Sequence, residues 1–308
     1  MINGSYSFGS NKIDLKKETS SFTNFSFDAL FKKTGIKYIY RTNENENTLT
    51  LAVDASKKVL KNIDEKVESL IFITQSPVSS IPSSGSLLHK ELNLGEKCFV
   101  LDVNQGCSAF PYALTIAINL IKNDQFKNCL IVTSETYTKH IDKNDRVCMP
   151  IFSDAASAIF VNKNSIPKQL SSIFLTDGNG AKNLCLKNNN NKSNLFMHGA
   201  NVFTFTASKV PYATNYLLEK ANLKLNDIKF FFYHQASAIV LNTIRKELDI
   251  PKEIFFYDIE SMGNTVSSTI PISLILSEKK KNIPRKQPIL MMGFGVGYSL
   301  SGGIFIFD

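Results

Sequence analysis

The sequence predicts an α/β fold in which one strand–helix unit is used twice. Three observations carry this reading. First, short unbroken apolar runs alternate with longer apolar stretches of helical length, as in a largely parallel sheet covered on both faces. Second, the two halves match in order. SLIFITQS pairs with KFFFYHQAS, FVLDVNQGCSAFPYALTIAINL with FFYDIESMGNTVSSTIPISLIL, CLIVTSE with ILMMGFG, and SAIFV with GGIFIF. Third, Cys107 and Asn264 each follow a glycine at turns that this repeat makes equivalent, and the loop with His234 faces them. A pseudo-two-fold duplication would gather the three near its axis. The repeat divides the chain into halves 1–165 and 166–308.

Taken in order, Ile2 to Phe8 reads as a first strand, and Asp14 to Lys33 is polar. Thr34 to Arg41 is a turn followed by a short alternating strand, and Asn43 to Asn47 is a polar loop. Thr48 to Asp64 sets Leu49, Leu51, Val53, Ala55, Val59 and Leu60 around a helix. Ser69 to Ser76 is a buried strand. Residues 77–97 hold turns and a short helix at Leu87 to Leu92.

Phe99-Val100-Leu101 reads as another buried strand. A sharp turn through Asn104-Gln105-Gly106 leads to a buried helix from Ala109 to Ile121. Pro111 suits its first turn, where a missing N–H costs nothing. Cys129 to Glu135 and Ala156 to Val161 are strands, with a polar loop at Asp142 to Arg146 between them. Residues 162–200 look irregular, and Lys187 to Lys192 (KNNNNK) reads as an exposed loop. The second half then runs helix (Thr204 to Leu223), strand (Lys229 to Ser237), helix (Ala238 to Leu248) and strand (Ile254 to Ile259). The strands Pro288 to Gly297 and Gly302 to Asp308 close the chain.

With 308 residues, 43% hydrophobic and 20% charged, the chain can bury a large core. No run approaches the ~18 apolar residues of a membrane span. The N-terminus lacks the apolar centre of a signal peptide, so no membrane association and a cytoplasmic location are expected. The five cysteines form no CxxC pair, which favours reduced thiols over disulfides or a metal site. The net charge of +8 is scattered and no nucleic-acid motif accompanies it, so an acidic carrier or phosphorylated compound fits better than nucleic acid.

Cys107 sits at a strand-to-helix turn. A helix N-terminus there would lower its thiol pKa and offer N–H groups to an oxyanion. A free cysteine is more often a small buried hydrophobe, and its partners decide between the two. A lone His234 would be a hydrogen-bonded structural histidine, and a lone Asn264 a turn residue. Together they suit a two-stage reaction. Cys107 takes an acyl group, while His and Asn polarise the carbonyl of a second thioester as it loses CO2. GFGVG, residues 293–297, lacks dinucleotide spacing and reads as backbone closely approaching the site.

These motifs resemble the β-ketoacyl-ACP synthase III family of the thiolase superfamily. The similarity runs from TGIKYIYR to GFGVGYSLSGGIFIF, with DVNQGCSAFPYAL, FFYHQAS and MGNTVSSTIP carrying Cys107, His234 and Asn264. DKNDR, FSDAASAIF and MHGANVF resemble further family landmarks. The resemblance implies a thiolase-like fold layered αβαβα, Cys107 as acyl nucleophile, and His234 and Asn264 as holders of the thioester carbonyl. It implies an oxyanion hole from the backbone N–H groups of Cys107 and Val296, with Phe294 favouring loss of the carboxylate. Gln235, Lys33 and Arg146 are the expected substrate contacts. Acyl-CoA or acyl-ACP are the expected substrates, without a tightly bound cofactor or metal, and acyl carrier protein is the expected partner. A homodimer joined through the central sheets is also implied, with Ile81-Pro82 reaching the neighbour's acyl pocket.

Departures concern the donor. The Trp that stacks on coenzyme A in many members is replaced by Ala29, and the chain has no Trp. Ile239 and Thr204 stand where basic residues are expected. Two other readings therefore remain beside decarboxylating condensation. One is acyl transfer from Cys107 to a hydroxyl or amine. The other is a non-catalytic partner subunit.

Overall fold

The structure, a computed structural model, describes residues 2–21, 26–189 and 192–308. Asn3–Phe8 (β1) is the expected first strand, and Asn11–Asp14 (β2) pairs antiparallel with Tyr38–Arg41 (β3). Between them the polar stretch Asp14 to Lys33 carries two short helices, Leu15–Glu18 (α1) and Phe27–Thr34 (α2). The side chains of Asp14 and Ser26 cap them, an effect worth about 1 kcal/mol each. Residues 22–25 of that stretch lie outside the described residues.

The helix Thr48–Leu60 (α3) opens on a capping box between Asn47 and Thr50. The strand Ser69–Ile73 (β4) is buried throughout and pairs in parallel with both neighbours, Phe99–Val103 (β5) and Asn128–Glu135 (β6). The short helix between β4 and β5, Ser84–Glu91 (α4), starts earlier than apolar spacing suggests because Ser83 caps it. With Ala155–Asn162 (β7), these strands form a five-stranded sheet ordered β1-β7-β6-β4-β5. The expectation of a buried strand at Phe99 is corrected here. β5 is the sheet edge, and Phe99 is 37% exposed because no strand covers that side.

Residues 162–200 are more regular than expected. They hold the strand Lys168–Thr176 (β8) and a hairpin of Leu184–Asn189 (β9) and Lys192–Met197 (β10). The expected KNNNNK loop is thus largely drawn into the hairpin arms, and Asn190 and Asn191 lie outside the described residues. The strands Phe230–Tyr233 (β11), Pro288–Gly295 (β12) and Ser299–Ile306 (β13) join β8 in a second sheet ordered β11-β12-β13-β8. The two sheets share one pattern. A parallel pair, β4–β6 or β11–β12, continues through two antiparallel pairs. The expected strand Ile254 to Ile259 is reduced to one bridge between Phe231 and Phe255. Its remaining residues turn into a four-residue helix, Ile259–Met262 (α8).

Two helices fill the space between the sheets: Ala109–Lys122 (α5) and Thr269–Lys279 (α9). Strand alternation explains how. Ile71, Ile73, Ile131, Ile289 and Met291 point to this central layer, whereas Leu70, Phe72, Leu130 and Val132 point outward to α3 and α4. On the far side, Leu290 and Met292 meet the long helix Gly199–Ala221 (α6) and the Ser237-capped Ala238–Glu247 (α7). The layers are therefore αβαβα. Each fully buried Leu, Ile or Phe in them contributes about 1.5–3 kcal/mol.

Candidate active site

The turn before α5 positions Cys107. Gly106 takes φ 51°, and its α-carbon lies against the Gln75 side chain, which leaves no room for a Cβ. A single helical turn, Gly106–Ser108, then delivers Cys107 to the end of α5. The second half builds the same device. Val266 takes φ 54°, Val266–Ser268 forms the same turn, and α9 follows with Pro271 where α5 has Pro111. By this alignment Cys107 corresponds to Ser267. The expected equivalence of Cys107 and Asn264 is thereby corrected. The link from the Phe255 bridge to α9 is longer than the link from β5 to α5, and the α8 turn lies within it. This insertion carries Asn264 to the site from outside the repeat.

Asn264 is held by its backbone. Its N–H donates to the Ile151 carbonyl at 3.0 Å, and its own carbonyl accepts from Ser153 N–H at 2.9 Å. Its side-chain oxygen accepts from Val266 N–H at 2.9 Å, which turns the amide nitrogen toward Ala236 O at 3.4 Å. His234 follows β11 directly, with its N–H bonded to the Met292 carbonyl at 3.0 Å. Its Nδ1 lies 2.6 Å from the Thr269 hydroxyl, and Nε2 takes no hydrogen bond among the described residues. Phe294 on β12 meets the imidazole edge-on, with ring centres 5.4 Å apart.

Cys107, His234, Asn264 and Phe294 line one cavity of about 820 Å³. Lys33 and Arg146 line it too, beside Ala29, Val147, Thr204 and Ile239. Its walls are mainly apolar, as ligand sites usually are. Gln235 is not brought there. It is fully buried, and its amide is spent on the Tyr233 and Phe256 carbonyls and the Asp258 N–H. This side chain fixes the loop after β11 instead of meeting substrate. Val296 packs with Cys107 and Tyr137 but faces a smaller neighbouring cavity of about 270 Å³.

Burial governs the electrostatics. It drives the His234 imidazole down to about 3, so the ring is neutral at ordinary pH. It pushes the Cys107 thiol well above its usual range, and the charge of Glu135 pushes it further. The lowered thiol expected from sequence is therefore not found, because burial and the Glu135 charge both act in the opposite direction. Burial also raises Cys129 to about 12 and Cys98 to about 11, and what sets Cys107 apart from them is that it alone of the three lines the cavity.

Sequence reasoning passed over Glu135 as the end of a strand. It is fully buried at the end of β6. One oxygen accepts from the Ser267 hydroxyl at 2.7 Å, the other from Gln75 N–H and the Ser76 hydroxyl at 2.9 Å each. Gln75 in turn accepts from the Tyr137 hydroxyl. Burial raises the Glu135 carboxyl to about 7 against these hydrogen bonds. A glutamate ending an otherwise apolar strand was the available signal. Thr269, the partner of His234, lay unremarked inside MGNTVSSTIP.

Comparison with known proteins agrees with this architecture. Residues 101–178 match the family model for 3-oxoacyl-[acyl-carrier-protein (ACP)] synthase III, and residues 218–306 match the model for its C-terminal part. The beta-ketoacyl-[acyl-carrier-protein] synthase III of Coxiella burnetii is 29% identical over 304 residues, covering 96% of this chain and 95% of the relative. That of Acholeplasma laidlawii is 31% identical over 277 residues, covering 88% and 87%. The solved 3-oxoacyl-(acyl-carrier protein) synthase of Burkholderia xenovorans superposes with a TM-score of 0.91 at 27% identity, covering 98% of this chain and 92% of that one. From fold, motif order and near full-length similarity together, the chain belongs to the 3-oxoacyl-[acyl-carrier-protein] synthase III family.

Proposed function

We propose that this protein, whose relatives are named beta-ketoacyl-[acyl-carrier-protein] synthase III, is a decarboxylating condensing enzyme that joins an acyl thioester to malonyl-ACP in fatty-acid or related acyl-chain synthesis. The observation that carries the reading is the convergence of Cys107, His234 and Asn264 on one mainly apolar cavity. Cys107 Sγ attacks the acyl carbonyl. The donor's C–S bond breaks, and the leaving sulfur takes the thiol proton. The malonyl thioester then loses CO2, and its electron pair becomes an enolate whose oxygen His234 and Asn264 stabilise. The α-carbon attacks the acyl carbonyl on Cys107, forming the C–C bond and expelling the sulfur as a thiolate, which takes a proton from solvent to restore the thiol. The N–H groups of Cys107 and Val296 are the proposed donors to the oxyanion formed at each attack. A neutral His234 suits this part, because a ring at about 3 cannot add a positive charge that later has to be shed.

The mouth of the cavity suits a carrier-borne donor. Lys33 and Arg146 supply positive charge, but Ala29 offers no stacking surface and Ile239, 49% exposed, is apolar. A stacking or cation–π contact contributes about 1 kcal/mol, so several such losses weaken nucleotide recognition. The proposed assembly is a homodimer across the open β5 edge, where Phe99 and the 89% exposed Ile81 would be covered.

Intact-protein mass spectrometry tests the reading, with acyl-CoA and acyl-carrier protein offered separately and Cys107→Ala as control. The expected result is an adduct from acyl-carrier protein, lost in the variant, followed by CO2 release on adding malonyl-ACP. A Cys107→Ala protein that condenses at the native rate refutes the reading. An adduct that passes to a hydroxyl or amine without CO2 release moves the function to simple acyl transfer.

A further inference from the structure

Thr269 is fully buried at the first position of α9, and its hydroxyl has two neighbours. His234 Nδ1 lies at 2.6 Å and the Val266 carbonyl at 3.2 Å. The hydroxyl has one hydrogen, so it can donate to only one of them. The Val266 carbonyl already accepts the backbone N–H of Thr269. Nδ1 has no other partner among the described residues, and its contact is the shorter.

We propose that Thr269 is the positioning residue that sets the His234 tautomer: its hydroxyl donates to Nδ1, so the single imidazole proton stays on Nε2 and points into the cavity. The tautomer of a neutral histidine follows from the bond its other nitrogen makes. Burial keeps this ring neutral, so no second proton blurs the choice. With its proton on Nε2, His234 donates to a carbonyl oxygen beside the Asn264 amide and has no lone pair facing Cys107. It therefore serves the decarboxylating half of the reaction and is not the base for the thiol. In the acyl-loading half, the Cys107 proton passes to the leaving sulfur of the donor. This assignment rests on the proposed condensing activity only for its consequence, not for the tautomer itself.

The test is nitrogen-detected NMR on the full-length protein with ¹⁵N-labelled histidine. Four histidines contribute, and a His234→Asn variant identifies the signals of His234. The expected spectrum has a protonated Nε2 and an unprotonated Nδ1. Thr269→Val keeps the shape but removes the hydroxyl, and should shift the ring toward the Nδ1-protonated form or a mixture. Thr269→Ser should restore the original pattern. A proton on Nδ1 in the native protein, or a Thr269→Val spectrum identical to native, overturns the proposal. In activity terms, Thr269→Val should slow CO2 release by about tenfold or more, since a wrong tautomer disables a histidine in place. Acyl loading on Cys107 should change much less, and equal loss in both halves counts against the assignment. The spectrum is recorded without substrate. A native protein that releases no CO2 would therefore remove the condensing reading while the nitrogen shifts still decide the tautomer.

Discussion

Replacing Glu135 by Gln tests whether a buried charge beneath the nucleophile is a standing cost to this fold. The carboxyl titrates at about 7 in the folded protein against an ordinary 4.5. The folded state therefore holds this proton more tightly than the unfolded chain. Unfolding releases it, so the group's contribution to stability falls as pH rises from 4.5 through 7. At ~1.4 kcal/mol per unit, the loss approaches about 3 kcal/mol above pH 8 and is under about 1 kcal/mol at pH 5. Gln cannot ionise and escapes this loss. It also weakens the bonds from Ser267, Gln75 and Ser76, at a cost of about 1–3 kcal/mol that does not depend on pH. The two effects separate by difference. Relative to native, Glu135→Gln should gain about 2–3 kcal/mol more at pH 8 than at pH 5. Denaturant titrations at both values measure this directly. An equal stability difference at the two pH values refutes the raised carboxyl. In the same variant, Cys107 should alkylate with iodoacetamide at a lower midpoint pH, because the neighbouring negative charge is gone.

Other substitutions probe the site and core. Gly295→Ala would place a Cβ 3.0 Å from Cys107 Cβ and 3.3 Å from its Sγ, so acyl loading should fall about tenfold or more while thermal unfolding barely moves. Ala29→Trp should restore a stacking surface at the cavity mouth and lower KM for acyl-CoA several-fold, leaving kcat with acyl-carrier protein unchanged. Phe232→Ala, between the two sheets, should cost about 3–5 kcal/mol in denaturant unfolding and leave the folded enzyme's loading rate near native.

Much of this was legible in the sequence because the central layers are made of unbroken apolar runs, and such runs have few alternatives. β4, β6 and β12 fall where SLIFI, CLIVTSE and ILMMGFG stand. Strands at the sheet edges were harder. β8 (KQLSSIFLT) is half polar because one face and one edge are less covered, so it blended into an irregular region. IFFYDI looked like a strand by composition, yet only Phe255 finds a partner. The site was legible as motifs but not as geometry. Aligning glycines made Asn264 the counterpart of Cys107, whereas a positive φ at Val266, a residue that rarely adopts it, marks the true equivalent turn. Gln235 stood beside His234 in the motif, but strand geometry sends its amide into the backbone instead of the cavity. Burial, which sets every pKa in the site, has no sequence signature of its own.

The equivalence of Cys107 with Ser267 has its own consequence. The strands that end nearest these residues are also equivalent. β12 ends in Gly295, paired with Ser299, and β6 ends in Glu135, paired with Ala155. At Gly295 the missing side chain lets Cys107 pack directly against the backbone, whereas Glu135 carries a carboxyl bound to Ser267. The two equivalent strand ends have thus diverged: one lets backbone close on the nucleophile, and the other ties the first half to the second through a buried carboxyl and the Ser267 hydroxyl.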